Sequence, residues 1–394
     1  MRVCVTQRPD QVGRESVMLL PLHPQPKDDE ILSSWMVRMA FANRFPLHTF
    51  YNKLLGYQGA IWNQDVDRHP HPDLLSLLVK SSGQLPRTLQ NMTLGFYEGL
   101  FYDHLSLIGN TAWIIPVGLF HRTRKRPGMQ FCPQCLKLDS IPYYRRHWRL
   151  SLYTLCDHHR CVLADRCPSC HAPVAYHRHG IGRHRTVPEV ESLFYCHHCS
   201  FDLRQTPLTF LDWFDEHSLQ KLHTTMRYCE QGCWDCGPLT PPCSIPFFQG
   251  VKTLMGVLIG RNGARLRDAL CAACKISTLT HAVHSEPERL TSLERAQLLL
   301  AIFWLLDDWP ARFIALCREA KFTRCRLAER VSELPFWLVN VADQYLDNRL
   351  YLPNQNEINA AGDYLRLRHM DVNASNLGRI LGLSPAVSLQ AWHL

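Results

Sequence analysis

The sequence predicts a mainly α fold with a small central zinc-ribbon-like module. An N-terminal helical domain of helix-turn-helix-like character comes first, tandem zinc sites follow, and a C-terminal helical domain ends in a second helix-turn-helix-like unit. Three observations carry the prediction. Four ligand pairs of identical spacing, Cys132/Cys135, Cys156/His159, Cys167/Cys170 and Cys196/Cys199, fall in order within 68 positions. Outside that stretch, apolar residues recur at helical spacing, as at Leu32, Trp35, Met36 and Met39. The excess positive charge is concentrated on the cysteine-rich stretch and its approach. The expected division of the 394 residues is an arm over 1–20, a helical domain over 21–125, a zinc module over 126–206 and a helical domain over 207–394.

A Cys-x2-Cys pair on a tight turn directs two sulfurs at one ion, and a second pair completes a tetrahedron. Two of the pairs share a Cys-Pro-x-Cys knuckle, and the segments between pairs run from seven to 25 residues. Read sequentially, Cys132, Cys135, Cys156 and His159 hold one Zn²⁺, and Cys167, Cys170, Cys196 and Cys199 hold a second. A cross-braced pairing, first with third and second with fourth, uses the same eight ligands, and no spacing selects between the two. His158 and Cys161 compete with His159, which is preferred because it keeps the two-residue gap. Four ligands per ion leave no position for a reactive water, and neither a P-loop nor a G-x-S-x-G motif is present, so no enzymatic activity is expected. Seventeen cysteines without an export-like N-terminus suggest thiolates in the cytoplasm instead of a disulfide framework. No run of about 18 apolar residues occurs, so no membrane span is expected.

The formal charge is +8, yet 13 Lys and Arg face only three Asp between His121 and Arg185, a net +10 that leaves the remainder slightly negative. Ten of these cations fall in three stretches: Arg122, Arg124, Lys125 and Arg126; Arg145, Arg146 and Arg149; and Arg178, Arg183 and Arg185. Arginine interleaved with aromatic and histidine residues suits a nucleic-acid backbone. A solvated face would look alike, as would counter-charge for two Zn²⁺ ions held by seven thiolates and one imidazole, formally net −3.

Taken in order, the chain opens on an arm and on Pro21, Pro24 and Pro26. Asp28 to Asn43 reads as a helix opened by acidic residues, as a helix N-terminus favours. Pro46 begins a short second helix that Gly56 ends. That pair fits a helix-turn-helix or two core-packing helices equally. Further helices are expected after Pro72 and from about Thr88 to Leu107. Tyr143 to Leu155 reads as short strands beside the metals, in a module with little core of its own that metal binding helps to fold. Helices follow near Phe210 and Phe247, joined by a loop in which Cys229, Cys233, Cys236 and Cys243 are irregularly spaced, leaving a third zinc site or unpaired thiols open. Cys271 and Cys274, one helical turn apart, read as buried thiols.

Thr291-Ser-Leu-Glu294 is a capping box ahead of a long apolar helix that Pro310 stops. Helices over 334–346 and 356–369 come next, then the terminal motif from Asn373. There Leu377, Ile380 and Leu381 are expected to face inward, Gly382 to turn, and Ser384-Pro385 to cap a last helix. No Lys or Arg follows Leu383, and Ser388 and Gln390 are the main groups that can reach base edges, which favours a role in packing or partner binding.

The run Pro24-x-Pro-Lys-Asp-Asp-Glu-x-Leu-Ser-Ser-Trp-x-x-Arg-x-Ala40, followed by the four ligand pairs in order and a helical C-terminal part, resembles the TniQ family of transposition proteins, which includes the TnsD-like target selectors. The likeness spans roughly residues 18–205 and is loose thereafter. It implies a non-enzymatic target-selection adaptor that hands a target site to an AAA+ transposition regulator. In the CRISPR-associated branch such a protein docks on an RNA-guided effector complex, often as a homodimer; TnsD-like members bind the DNA attachment site themselves. By this resemblance Asp29, Glu30, Ser34, Trp35 and Arg38 match the family motif, with Trp35 structural and Arg38 a candidate for contact with a partner or nucleic acid. The short, uncharged last helix favours the adaptor over the selector. A nucleoid-associated cytoplasmic location is implied.

Overall fold

Asp28 and Asp29 form a turn, and the first helix, α1, starts only at Leu32 and runs to Ala42. The acidic residues therefore precede the helix; its first turn carries none. Every residue from Leu32 to Phe41 is buried, the polar Ser33, Ser34 and Arg38 included. The computed structural model describes residues 19–106, 108–120, 123–180, 188–231, 244–282, 286–328, 334–346, 353–383 and 388. Most of the arm, Arg122, Arg183, Arg185, Cys233, Cys236, Cys243, Ser384, Pro385 and Gln390 lie outside the described residues.

After α1, α2 (Leu47–Thr49) widens into a π-helical turn, Phe50–Leu54, in which the Leu55 N–H reaches the Phe50 carbonyl at 3.0 Å. Gly56, at φ +71°, ends it. α3 (Pro72–Ser82) has proline in its first turn and left-handed Gly83 at its end. α4 (Pro86–Asn91) is much shorter than the helix expected to reach Leu107. The chain is diverted there because the Leu94 N–H donates to the Asp67 carbonyl at 2.8 Å and the Thr93 hydroxyl accepts from the Gly95 N–H at 3.2 Å.

The central region has little regular structure. β1 (Leu119–Phe120) and β2 (Thr123–Arg124) form an antiparallel hairpin, and α5 (Pro133–Leu138) grows from the first cysteine knuckle. The strands expected over Tyr143–Leu155 are replaced by isolated bridges, Glu30 with Arg145, Ile114 with Leu150 and Leu155 with Val162, around a 3₁₀ turn at Arg146–Arg149. Successive backbone groups find partners in different segments, such as the Arg146 N–H on the Asp29 carbonyl at 2.7 Å and the Ile115 N–H on the Arg149 carbonyl at 2.9 Å. No ladder can form on that pattern.

The C-terminal helices are α6 (Glu216–Gln231), α7 (Ser244–Ile259), α8 (Ala264–Cys274), α9 (Ser292–Asp307), α10 (Ala311–Glu319), α11 (Arg324–Ala328) and α12 (Phe336–Tyr345). α9 opens on the expected capping box and is buried nearly all round, with α6 packed along it. One hydrophobic core runs from Leu20 through the cysteine region to Leu346, so the cysteine region shares its interior with helices on both sides. Gln130 is one link. Its Nε2 lies 3.2, 3.1 and 2.8 Å from the carbonyls of Trp148, Leu150 and Tyr153, while its Oε1 accepts from Ser292 at 2.7 Å and Arg295 at 2.8 Å.

α13 (Gln355–Leu367) and α14 (Ala374–Leu381) pack on each other around a separate core of Ala361, Leu365 and Leu377. Gly382 turns the chain at φ +66°, as expected. Ile380 does not face inward: it is 40% exposed, leaving Leu377 as the buried member of its trio and Leu381 at the edge. Ser388 packs so closely on Gly378 that a Cβ there would lie 1.9 Å from its Oγ.

Two candidate metal centres and a candidate nucleic-acid surface

Cys132 caps α5: Pro133 takes the first helical position and the Cys135 N–H points at the Cys132 sulfur at 3.5 Å. The other three pairs sit on a common turn. The residue four places after Cys156, Cys167 and Cys196 donates its N–H back to that cysteine's carbonyl at 2.8–2.9 Å, and the cysteine's own N–H pairs with the next residue along. The closing positions, Arg160, His171 and Ser200, are left-handed at φ +53°, +58° and +62°, although none is glycine. Spacing alone gives no hint of that strain.

These turns bring the eight ligands together in two groups of four: Cys132, Cys135, Cys156 and His159, and Cys167, Cys170, Cys196 and Cys199. The grouping is sequential, not cross-braced. In the first, His159 Nδ1 lies 3.4 Å from each of the three sulfurs, and Cys135 and Cys156 are 3.5 Å apart. In the second, the Cys167–Cys199 and Cys170–Cys196 sulfur pairs are each 3.6 Å apart. A tetrahedron around zinc has edges of about 3.8 Å between sulfurs and about 3.5 Å between sulfur and nitrogen. Both clusters fit one ion. Cys161 lies 3.6 Å from Cys132 alone and, like His158, stands outside the group of four. Cys229, Cys271 and Cys274 are buried on helices, as expected for the last two.

The three basic stretches part company. Arg145, Arg146 and Arg149 are buried, and so is Arg38, which corrects their expected place on a contact surface. Arg145 forks onto Asp139 at 3.1 and 3.0 Å and reaches Asp29 at 3.3 Å. Arg146 stacks over the Phe96 ring at 3.7 Å and donates to the Asn91 carbonyl. Arg149 pairs with Asp65 at 3.0 and 2.6 Å and with Asp67 at 3.2 Å. Together they fasten the cysteine region to the N-terminal helices.

The family-like motif around α1 belongs to the same contact. Glu30 pairs with Arg38 and accepts from Ser34 at 2.9 Å, while Ser34 accepts the Tyr144 N–H at 3.0 Å. Ser33 donates to Asp67 at 2.8 Å and touches the Tyr176 hydroxyl. Burial pushes the Glu30 carboxyl up to about 7 against the pull of Arg38. Burial and neighbouring Asp65 raise Asp67 to about 6, against Arg149. Asp65 moves the other way: burial raises it, but Arg149 together with Arg124 and Arg68 more than offsets that. Asp65 and Asp67 carry no motif signature. Only their alternation with buried Val66 could have marked them.

The other stretches meet on the surface. Arg178 donates to the Thr123 hydroxyl at 3.4 Å, joining the 176–179 turn to the hairpin that carries Arg124 and leads into Lys125 and Arg126. Lys125 and Arg126 are exposed, and Arg126 lies over Gly118, whose φ of +57° and missing side chain leave it room. Arg124 is half-buried, and its guanidinium is held below the usual range by burial. His197, beside the second cluster, drops to about 4 through burial and then the nearby His179 and Arg178.

Residues 21–163 match the TniQ family model. The match contains α1 to α5, the buried clamp and the whole first cluster, and stops before Cys167. No curated protein matches the chain. Among the described residues, no helix is long and apolar enough to cross a membrane.

Proposed function

We propose that this chain, a TniQ-family protein by its residues 21–163, serves transposition target selection as a non-enzymatic adaptor. It links a target-site recognition complex, RNA-guided in the CRISPR-associated branch, to an AAA+ regulator, and a homodimer is its working form. Each cluster holds one Zn²⁺, which the donor sets of three thiolates with an imidazole and of four thiolates suit. With four protein ligands apiece these ions are structural, their chemistry being to tie the turns together.

The observation that carries the nucleic-acid part is the joining of Arg178, beside the second cluster, to the hairpin that carries Arg124 and leads into Lys125 and Arg126. Arg122, Arg183 and Arg185 extend the same two stretches in sequence. Such a surface contacts phosphates and does not read bases. A TnsD-like selector is the second reading. It draws on α13, α14 and the seat of Ser388 on Gly378, an arrangement suited to a helix-turn-helix.

Selection from random duplexes at near-physiological salt decides between them. The adaptor gives weak, salt-sensitive binding with no enriched motif; an enriched motif assigns the address to the chain itself.

A further inference from the structure

We propose that a groove between α2 and the 57–63 loop holds one unpaired nucleotide of the nucleic acid bound by the basic face, and this rests on that reading of the face. The groove has a volume of about 450 Å³ and is lined between Leu47 and Asn63. No Asp or Glu occurs anywhere in those residues, so nothing in the lining repels a phosphate. Lys53 stands exposed in the π-helical turn, with no ion pair among the described residues. Turns of that kind recur at functional sites. The exposed carboxamides of Asn52 and Gln58 bond to each other, the Asn52 amide donating to the Gln58 oxygen at 3.2 Å, which leaves the Asn52 oxygen to take a base-edge donor, and the half-buried ring of Tyr57 offers a stacking surface.

Two further observations point to a ligand. Trp62 lines the groove and is 3% exposed, yet its indole N–H has no acceptor among the described residues. A buried donor left unsatisfied is uncommon. Trp62 also stacks on His177, centroids 4.9 Å apart and planes within 10°, and His177 directly precedes Arg178. The groove therefore adjoins the basic face. Its size suits a single nucleotide and excludes a double helix, so the fitting partner is a bulged, flipped or single-stranded position.

The test uses the full chain with both clusters zinc-loaded and reads fluorescence anisotropy. The probes are a short perfect duplex, the same duplex with a one-nucleotide bulge, and the single strand, each as DNA and as RNA. The expected result is about tenfold tighter binding of the bulged or single-stranded probe at equal salt. Ala60→Trp, at an exposed lining position, and Lys53→Glu should each abolish that preference while perfect-duplex affinity changes less than the preference does. The DNA and RNA arms say which nucleic acid supplies the nucleotide. No preference in the wild type, or a preference that survives both variants, overturns the groove. Displacement of the bulged probe by a poly-glutamate peptide but not by mononucleotides would overturn it too, giving the groove to a protein partner. Loss of perfect-duplex binding alone refutes the basic face and leaves the groove standing; loss of all binding refutes both.

Discussion

Tyr143–Arg149 and the pair of stretches 121–126 and 176–185 carry the same signature of arginine among aromatic and histidine residues, and the fold treats them oppositely. Arg145, Arg146 and Arg149 turn inward to Asp29, Asp139, Asp65, Asp67 and the ring of Phe96. Lys125 and Arg126 stay outside, and Arg178 meets a hydroxyl. The difference lies in the supply of partners. Loops beside the N-terminal helices bring Asp29, Asp65 and Asp67 to one stretch, and Arg146, which meets no carboxylate, is held by the Phe96 ring and the Asn91 carbonyl instead. A basic run in a sequence is thus no surface where the fold gives its guanidinium groups buried partners.

The largest test concerns the frame on which both stretches hang. Cys156→Ser should lower bound zinc from two ions to one per chain and abolish cooperative unfolding of the cysteine region, since a structural zinc contributes on the order of 10 kcal/mol. Elemental analysis with circular dichroism checks it, and an unchanged metal count would refute the first ligand set. Next comes Arg149→Met, which strands Asp65 and Asp67 and should cost about 3–5 kcal/mol in denaturant unfolding. DNA affinity per folded molecule should stay the same; if it drops with stability intact, Arg149 belongs with the outward set.

The clamp should also respond to pH. Glu30 has a folded value near 7, above its ordinary value of 4.5, so the folded state holds the extra proton between those limits. Its contribution is full below about 4.5 and is lost as pH rises through 7. Between pH 5.5 and 7.5 the stability of the zinc-loaded wild type should fall relative to that of Glu30→Gln; equal slopes would remove Glu30 from the account. The smallest effect belongs to the outward set. Arg126→Ala should change stability by less than about 0.5 kcal/mol and lower the salt dependence of DNA binding by about one unit of slope. A stability loss comparable to that of Arg149→Met would erase the contrast.

Local chemistry was readable. The eight ligands follow from spacing, and the Thr291 capping box, the start of α3 at Pro72 and the turn at Gly382 follow from single residues whose preferences act within a few positions. The misses are long-range. α4 stops at Asn91 because the next residues bond to the loop at Asp67, and the strands expected near Leu150 dissolve into bridges with remote segments. Ile380 is 40% exposed, while Leu377 on the same helix joins Ala361 and Leu365 in the small core shared with α13.

By itself, then, the sequence determined the two Cys/His clusters able to hold a metal, the mainly helical build on either side and the motif around α1, all set by covalent spacing and backbone preference. Only the tertiary structure decided that Asp29, Glu30, Ser34 and Arg38 of that motif serve an internal contact and which arginines remain for a partner. A charge is placed by the charges that reach it through space, and those come from residues far away along the chain.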